Sequence, residues 1–136
     1  MTWIRVSSVF TIALALGACA SSQLWSCRTG ERLAVMASMY FGTAKPGASV
    51  TSQEWQEFVN RVVTPHFPGG LTSWEASGQW QSATGVIERE VSHVLHIVHP
   101  DTEESERAVR EVMSRYKSEF HQQAVLRVRS RACMSL

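Results

Sequence analysis

From Leu33 to Phe41 every second residue, Leu33, Val35, Ala37, Met39 and Phe41, is apolar and falls on one face. A period of two predicts a strand, and Gly42 ends it. Lys45-Pro46-Gly47 follows with Pro and Gly in the order of a type II turn. Thr51-Ser52-Gln53-Glu54 then reads as a capping box, with Val50 and Trp55 spaced for a hydrophobic staple. Trp55, Phe58, Val59 and Val62 continue at helical spacing until Pro65 stops the helix. Leu71 to Gln81 and Val86 to Val98 read as two strands joined near Ser82-Ala83-Thr84-Gly85. Asp101-Thr102-Glu103-Glu104 opens a second helix, with Val109, Val112, Met113, Tyr116 and Phe120 as its stripe. The last strand runs from Ala124 to Cys133, where Leu126 and Val128 alternate with Arg127, Arg129 and Arg131.

The order β-α-β-β-α-β predicts an α+β class fold of the ferredoxin-like split βαβ type. Two helices cover one face of a four-stranded antiparallel sheet, and the first and last strands are neighbours. Such a sheet normally shows water a polar second face. Here the central strand is apolar on both, with Leu95 and Ile97 on one side and Val94 and Val98 on the other. Met36 and Tyr40, and Trp74 and Trp80, add to that second face. It therefore calls for a cover: a second copy of the domain, the N-terminal segment with Trp25, or an apolar ligand.

Ahead of the domain, Arg5 precedes an apolar run from Val6 to Leu16, too short for a permanent membrane span. Leu16-Gly17-Ala18-Cys19 closes it and resembles the lipobox of bacterial lipoproteins. An ordinary secretory signal with a chance cysteine is the weaker explanation of this placement. Residues 1–18 are then a signal peptide, 19–32 a lipidated N-terminus and tether, and 33–136 a single domain. Lipidation of Cys19 makes the membrane a partner through fatty acyl chains such as palmitate. Ala20 and Ser21, without Asp after the cysteine, resemble Gram-negative signals for the outer membrane, facing the periplasm.

Removing 1–18 from 136 residues leaves 118, enough for one core. Arg5 leaves with the signal, so 12 of the 13 Lys+Arg remain against 12 Asp+Glu. This balance supplies no basic footprint for nucleic acid. With Cys19 acylated, Cys27 and Cys133 stand at opposite ends of the folded part in an oxidising compartment. That favours a disulfide over two buried thiols. The adjacency of first and last strands brings the two cysteines to the same edge.

Tyr40-Phe41-Gly42, Val63-Thr64-Pro65 with Phe67-Pro68, Gly78-Gln79-Trp80, Arg89-Glu90, Ser92, Leu95 to Pro100 and Val125-Leu126-Arg127-Val128 form an ordered set of short motifs. Together they resemble a family of small exported bacterial domains, number 3574 among the domains of unknown function. The likeness runs from about Met39 to Cys133. It implies no catalytic residues, because none is assigned in that family.

Chemistry-bearing patterns are few. His93, His96 and His99 repeat every third residue, but on a strand His96 points away from the other two. No acid or thiolate completes a ligand set, so neither a metal nor another cofactor is expected. Ser73-Trp74-Glu75 and Ser92-His93 lack the glycines of a nucleophile elbow. Glu88 and Glu90 share a face as solvated acids, and the row Arg127, Arg129, Arg131 reads as a charged edge that discourages strand pairing. The expectation is a non-enzymatic periplasmic interaction module, meeting a second copy or another envelope protein through the open sheet face. The alternative is a small enzyme of the dimeric α+β barrel kind, in which Tyr40, His96 and Arg127 meet on that face as acid/base and anion-holding groups. A fold analogy alone supports the enzyme.

Overall fold

The computed structural model describes residues 26–136. The expected signal peptide, Cys19 and the expected tether through Trp25 lie outside the described residues.

Strand β1 (Arg32–Gly42) leads into two short strands, β2 (Ala44–Lys45) and β3 (Ala48–Ser49), then helix α1 (Ser52–Phe58) with a π-helical turn at Val59–Val63. Strands β4 (Thr72–Gln81) and β5 (Ile87–His99) form a long hairpin, helix α2 (Glu103–Glu119) follows, and β6 (Leu126–Met134) closes the chain. The main sheet has the order β4-β5-β1-β6, with every pairing antiparallel. The first and last long strands are therefore neighbours, as the hydrophobic pattern implied.

Local chemistry explains the element ends. Thr51 caps α1 reciprocally: its side chain accepts from the Glu54 N–H, and the Glu54 carboxylate accepts from the Thr51 N–H. The Glu54 carboxylate also accepts from Lys45 Nζ at 2.6 Å, and these bonds hold it down to about 2. Thr102 caps α2 by accepting from the Ser105 N–H at 3.2 Å, with Glu103, Glu104 and Glu106 in the first turn. Gly47, at φ 73°, supplies the left-handed position that the Pro46-Gly47 turn requires. The sequence pattern had no strands on either side of this turn; the structure makes it a two-residue hairpin.

The π-helical turn is a second addition. Its widened register, with the Thr64 N–H donating to the Val59 carbonyl, lets Val59, Val62 and Val63 all face the core. Regular α spacing had placed only Val59 and Val62 there.

The core lies between one sheet face and the two helices. Met39, Phe41, Leu95 and Ile97 meet Trp55, Phe58, Val112 and Tyr116, all buried. Phe41 is its centre, with ring centroids 4.7 Å from Tyr116 and 5.1 Å from Trp55. The Tyr116 hydroxyl donates to the Gly42 carbonyl at 2.9 Å, so even this buried oxygen is satisfied. At the sheet edge Cys27 is joined to Cys133, with Cα atoms 5.5 Å apart. Leu33 pairs with Cys133 in the β1–β6 register, so the bridge staples the start of the domain to its end.

Candidate functional site: the open sheet face

Register decides which side chains share the uncovered face. Trp74, Val94, Tyr40 and Leu126 lie in one row across the four strands. Thr72, His96, Ser38 and Val128 form the next row. Val98, Met36 and Ser130 form a third. Alternate residues of a strand share a face, so all of these point away from the buried Met39, Phe41, Leu95 and Ile97.

The face has relief. Val94 is only 2% exposed, flanked in its row by Trp74 at 43% and Tyr40 at 37%. Ser38 is 7% exposed, between His96 and Val128, the latter at 50%. Each central row thus holds a recessed residue between raised ones. The Trp74 indole meets the His96 ring edge to face, with centroids 4.6 Å apart and planes at 82°, a favourable aromatic arrangement. Charge is confined to the ends of the face, with Arg32 at one and Glu88 and Glu90 at the other. Glu90 is engaged there, accepting from the Ala44 N–H at 3.1 Å beside Gly42.

Tyr40 and His96 occupy this face, but Arg127 does not. Arg127 pairs with Met39 in the β1–β6 register and so projects toward the helices. It donates from both terminal nitrogens to Glu106 of α2, each bond 2.9 Å long. The expected meeting of Tyr40, His96 and Arg127 on one face is corrected accordingly. The reading of the arginine row as a charged edge agrees with the place of β6 at the edge of the sheet. Arg129 in addition reaches the start of α2, donating to Asp101 at 2.9 Å. The acids opening α2 draw the arginines inward, and alternation then turns Leu126 and Val128 outward. These two residues are the part of the face that sequence reasoning missed. The signal was their alternation with arginine; the side of the sheet they would take depended on acids across the fold.

The histidines divide as alternation requires. His93 and His99 are buried on the helix side, and His96 lies on the open face. His93 stacks flat on Trp55, and burial pushes its imidazole below the ordinary value against a smaller opposing pull from Glu75. His99 Nδ1 lies 2.8 Å from the Pro100 carbonyl. Among the described residues, Cys27, Glu31 and Cys133 come within ligand range of one another, but the disulfide removes both thiolates. Among the same residues, no helix is long and apolar enough to cross a membrane.

Fold and site together define a small disulfide-stapled α+β domain with a largely uncharged sheet face that the described residues leave uncovered. The chain belongs to the family described as Protein of unknown function (DUF3574), which matches residues 36–136. No curated protein matches the sequence. Among solved structures, a phage SAM lyase in complex with S-methyl-5'-thioadenosine is similar over 83% of this chain and 95% of its own, with a TM-score of 0.58 and 11% identity. CutA from Synechococcus elongatus PCC7942, complexed with Bis-Tris, is similar over 78% of this chain and 88% of its own, with a TM-score of 0.53 and 13% identity. At these identities the likeness is one of fold alone.

Proposed function

We propose that this chain is a lipid-anchored module of the bacterial envelope, with a ferredoxin-like split βαβ domain that associates through its open sheet face and catalyses no reaction. The observation that carries the reading is the face itself. Tyr40, Trp74, Val98, Leu126 and Val128 are exposed together on one side of one sheet. A contiguous apolar patch of this kind usually marks an interface. The lipobox-like Leu16-Gly17-Ala18-Cys19 supports an anchor at Cys19, and the residues after it support the outer membrane, on its periplasmic side. Seven residues, 20–26, extend to roughly 25 Å, so the tether keeps the face close to the bilayer. The enzyme alternative loses its anion-holding group, because Arg127 is committed to Glu106 on the other side of the sheet. The phage lyase lends no residue to this chain at 11% identity.

The test is the protein mass of the full lipidated chain after mild-detergent extraction, measured by light scattering with Val98→Lys/Leu126→Lys alongside. Wild type is expected to carry more protein than one chain, and the variant a single chain with unchanged circular dichroism. Wild type extracting as a single chain would refute the association.

A further inference from the structure

Resting on the reading of the open face as an association surface, we infer that its occupant is a second copy of this chain. The two sheets pack face to face about a two-fold axis that crosses the strands between Tyr40 and Ser38.

Three observations lead there. The first is size. Four strands about 4.8 Å apart and nine residues at about 3.3 Å each make a face of roughly 19 Å by 30 Å before side-chain relief is added. That projection is about 570 Å2, and side-chain relief brings the accessible area closer to the about 800 Å2 per partner of a stable complex. The second is charge. The centre of the face carries none, so an identical surface meets it without repulsion, whereas a charged partner would find nothing to pair with. Arg32 at one end and Glu88 and Glu90 at the other make the face self-complementary when the second copy is reversed. Two copies in the same strand direction would set like ends together.

The third observation is relief, and it selects the same arrangement. Reversal about an axis between the two central rows lays each row on the other. Raised Tyr40 then faces recessed Ser38 of the second copy, and His96 faces recessed Val94 of the second copy. At one flank Trp74 faces the smaller Thr72 of the second copy, and at the other Leu126 faces its Val128. With strands in the same direction, β4 would lie over β6, and the bulky Trp74 would meet raised Leu126 at both flanks. Reversal sets raised on raised at one flank only, between the smaller aliphatics Leu126 and Val128. Interdigitation of large with small residues is how paired sheets reach interior packing density at about 10 Å separation. A two-fold interface of this kind closes on itself, so it ends at two chains.

The experiment places the photo-crosslinking amino acid p-benzoylphenylalanine at Tyr40 in the full chain, in cells, followed by illumination and peptide mapping. The expected product has twice the mass of the chain, with the join falling on β1 near Ser38 of the second copy. A join on β5 near Val94 of a second copy overturns the reversed arrangement. An adduct with a different protein overturns the second copy while leaving the proposed association standing. An adduct within one chain to residues 20–32, or none, overturns both. An independent arm avoids any disturbance by the crosslinker. Ser38→Tyr, which fills the recess, is expected to halve the extracted particle mass, while Ser38→Ala leaves it unchanged. Equal masses for the two variants would overturn the proposed fit.

Discussion

Arg127 holds Glu106 through both terminal guanidinium nitrogens, each 2.9 Å from a carboxylate oxygen, and so fastens edge strand β6 to helix α2. The hydrogen bonds from Arg127 hold the Glu106 carboxyl below its ordinary 4.5, against the cost of burial, with further help from the charges of Arg127, Arg129 and His99. Both side chains are largely buried, so removing one strands the other. Arg127→Ala should cost about 2 kcal/mol in urea unfolding at neutral pH. Because the folded value lies below the unfolded one, this contribution is full above 4.5 and is lost as pH falls through the folded value. The difference between wild type and Arg127→Ala should therefore shrink in acid. A constant difference across that range would show that the pair is not what the substitution removes.

His93 gives the opposite residue type with the same direction of pH dependence. Its ring lies parallel to the Trp55 indole, centroids 4.7 Å apart and planes at 5°, with Nε2 buried and unpartnered. Burial lowers its value from 6.5, so at mildly acid pH the unfolded chain binds a proton that the folded chain resists. Stability should fall as pH drops below 6.5 toward the folded value. His93→Phe keeps a ring on Trp55 and removes the titration. Its melting temperature should fall less than that of wild type between about pH 7 and about pH 5. Parallel curves would mean that His93 contributes nothing to the acid response.

The Cys27–Cys133 bridge closes a loop of 106 residues' separation. A loop that long gives on the order of 4–5 kcal/mol in the chain-entropy account. Reduction should therefore lower the urea midpoint strongly, and non-reducing peptide maps of exported protein should show the two peptides joined. Free thiols at both positions would contradict the pairing.

The proposed anchor at Cys19 has its own test. Cys19→Ser should move the protein from the membrane fraction to the soluble periplasmic fraction and abolish labelling by fatty acid. Unchanged membrane attachment would refute lipidation as the tether.

What the sequence made legible follows from the range of the forces involved. Alternation in β1 and β5, the Thr51 capping box and the α2 stripe are local patterns, and each appears in the fold where the pattern put it. The Cys27–Cys133 pairing was legible from the two cysteines left beside Cys19 and an expected oxidising compartment, and the order of elements agreed with it. The sidedness of β6 was less accessible. Alternation says that Arg127 and Leu126 point oppositely, but not which of them faces α2. That choice is made by Glu106 and Asp101, which lie 21 and 28 residues away in the chain. The relief at Val94 and Ser38 was hidden for the same reason, since it depends on the cross-strand register of Trp74, Tyr40 and Val128. The π-helical turn at Val59–Val63 also departs from regular spacing, which no count of periodic residues reveals.

The most direct measurement of the central claim is hydroxyl-radical footprinting of the open face in intact membranes. Tyr40 and Trp74, both exposed in the single domain, are the reporters, and half-buried Met113 on the helix side is the reference. Oxidation of Tyr40 and Trp74 should be several-fold lower in wild-type membranes than in membranes carrying Val98→Lys/Leu126→Lys, with Met113 unchanged. Equal oxidation of the two reporters in both would mean that nothing covers the face, and would contradict its role in association.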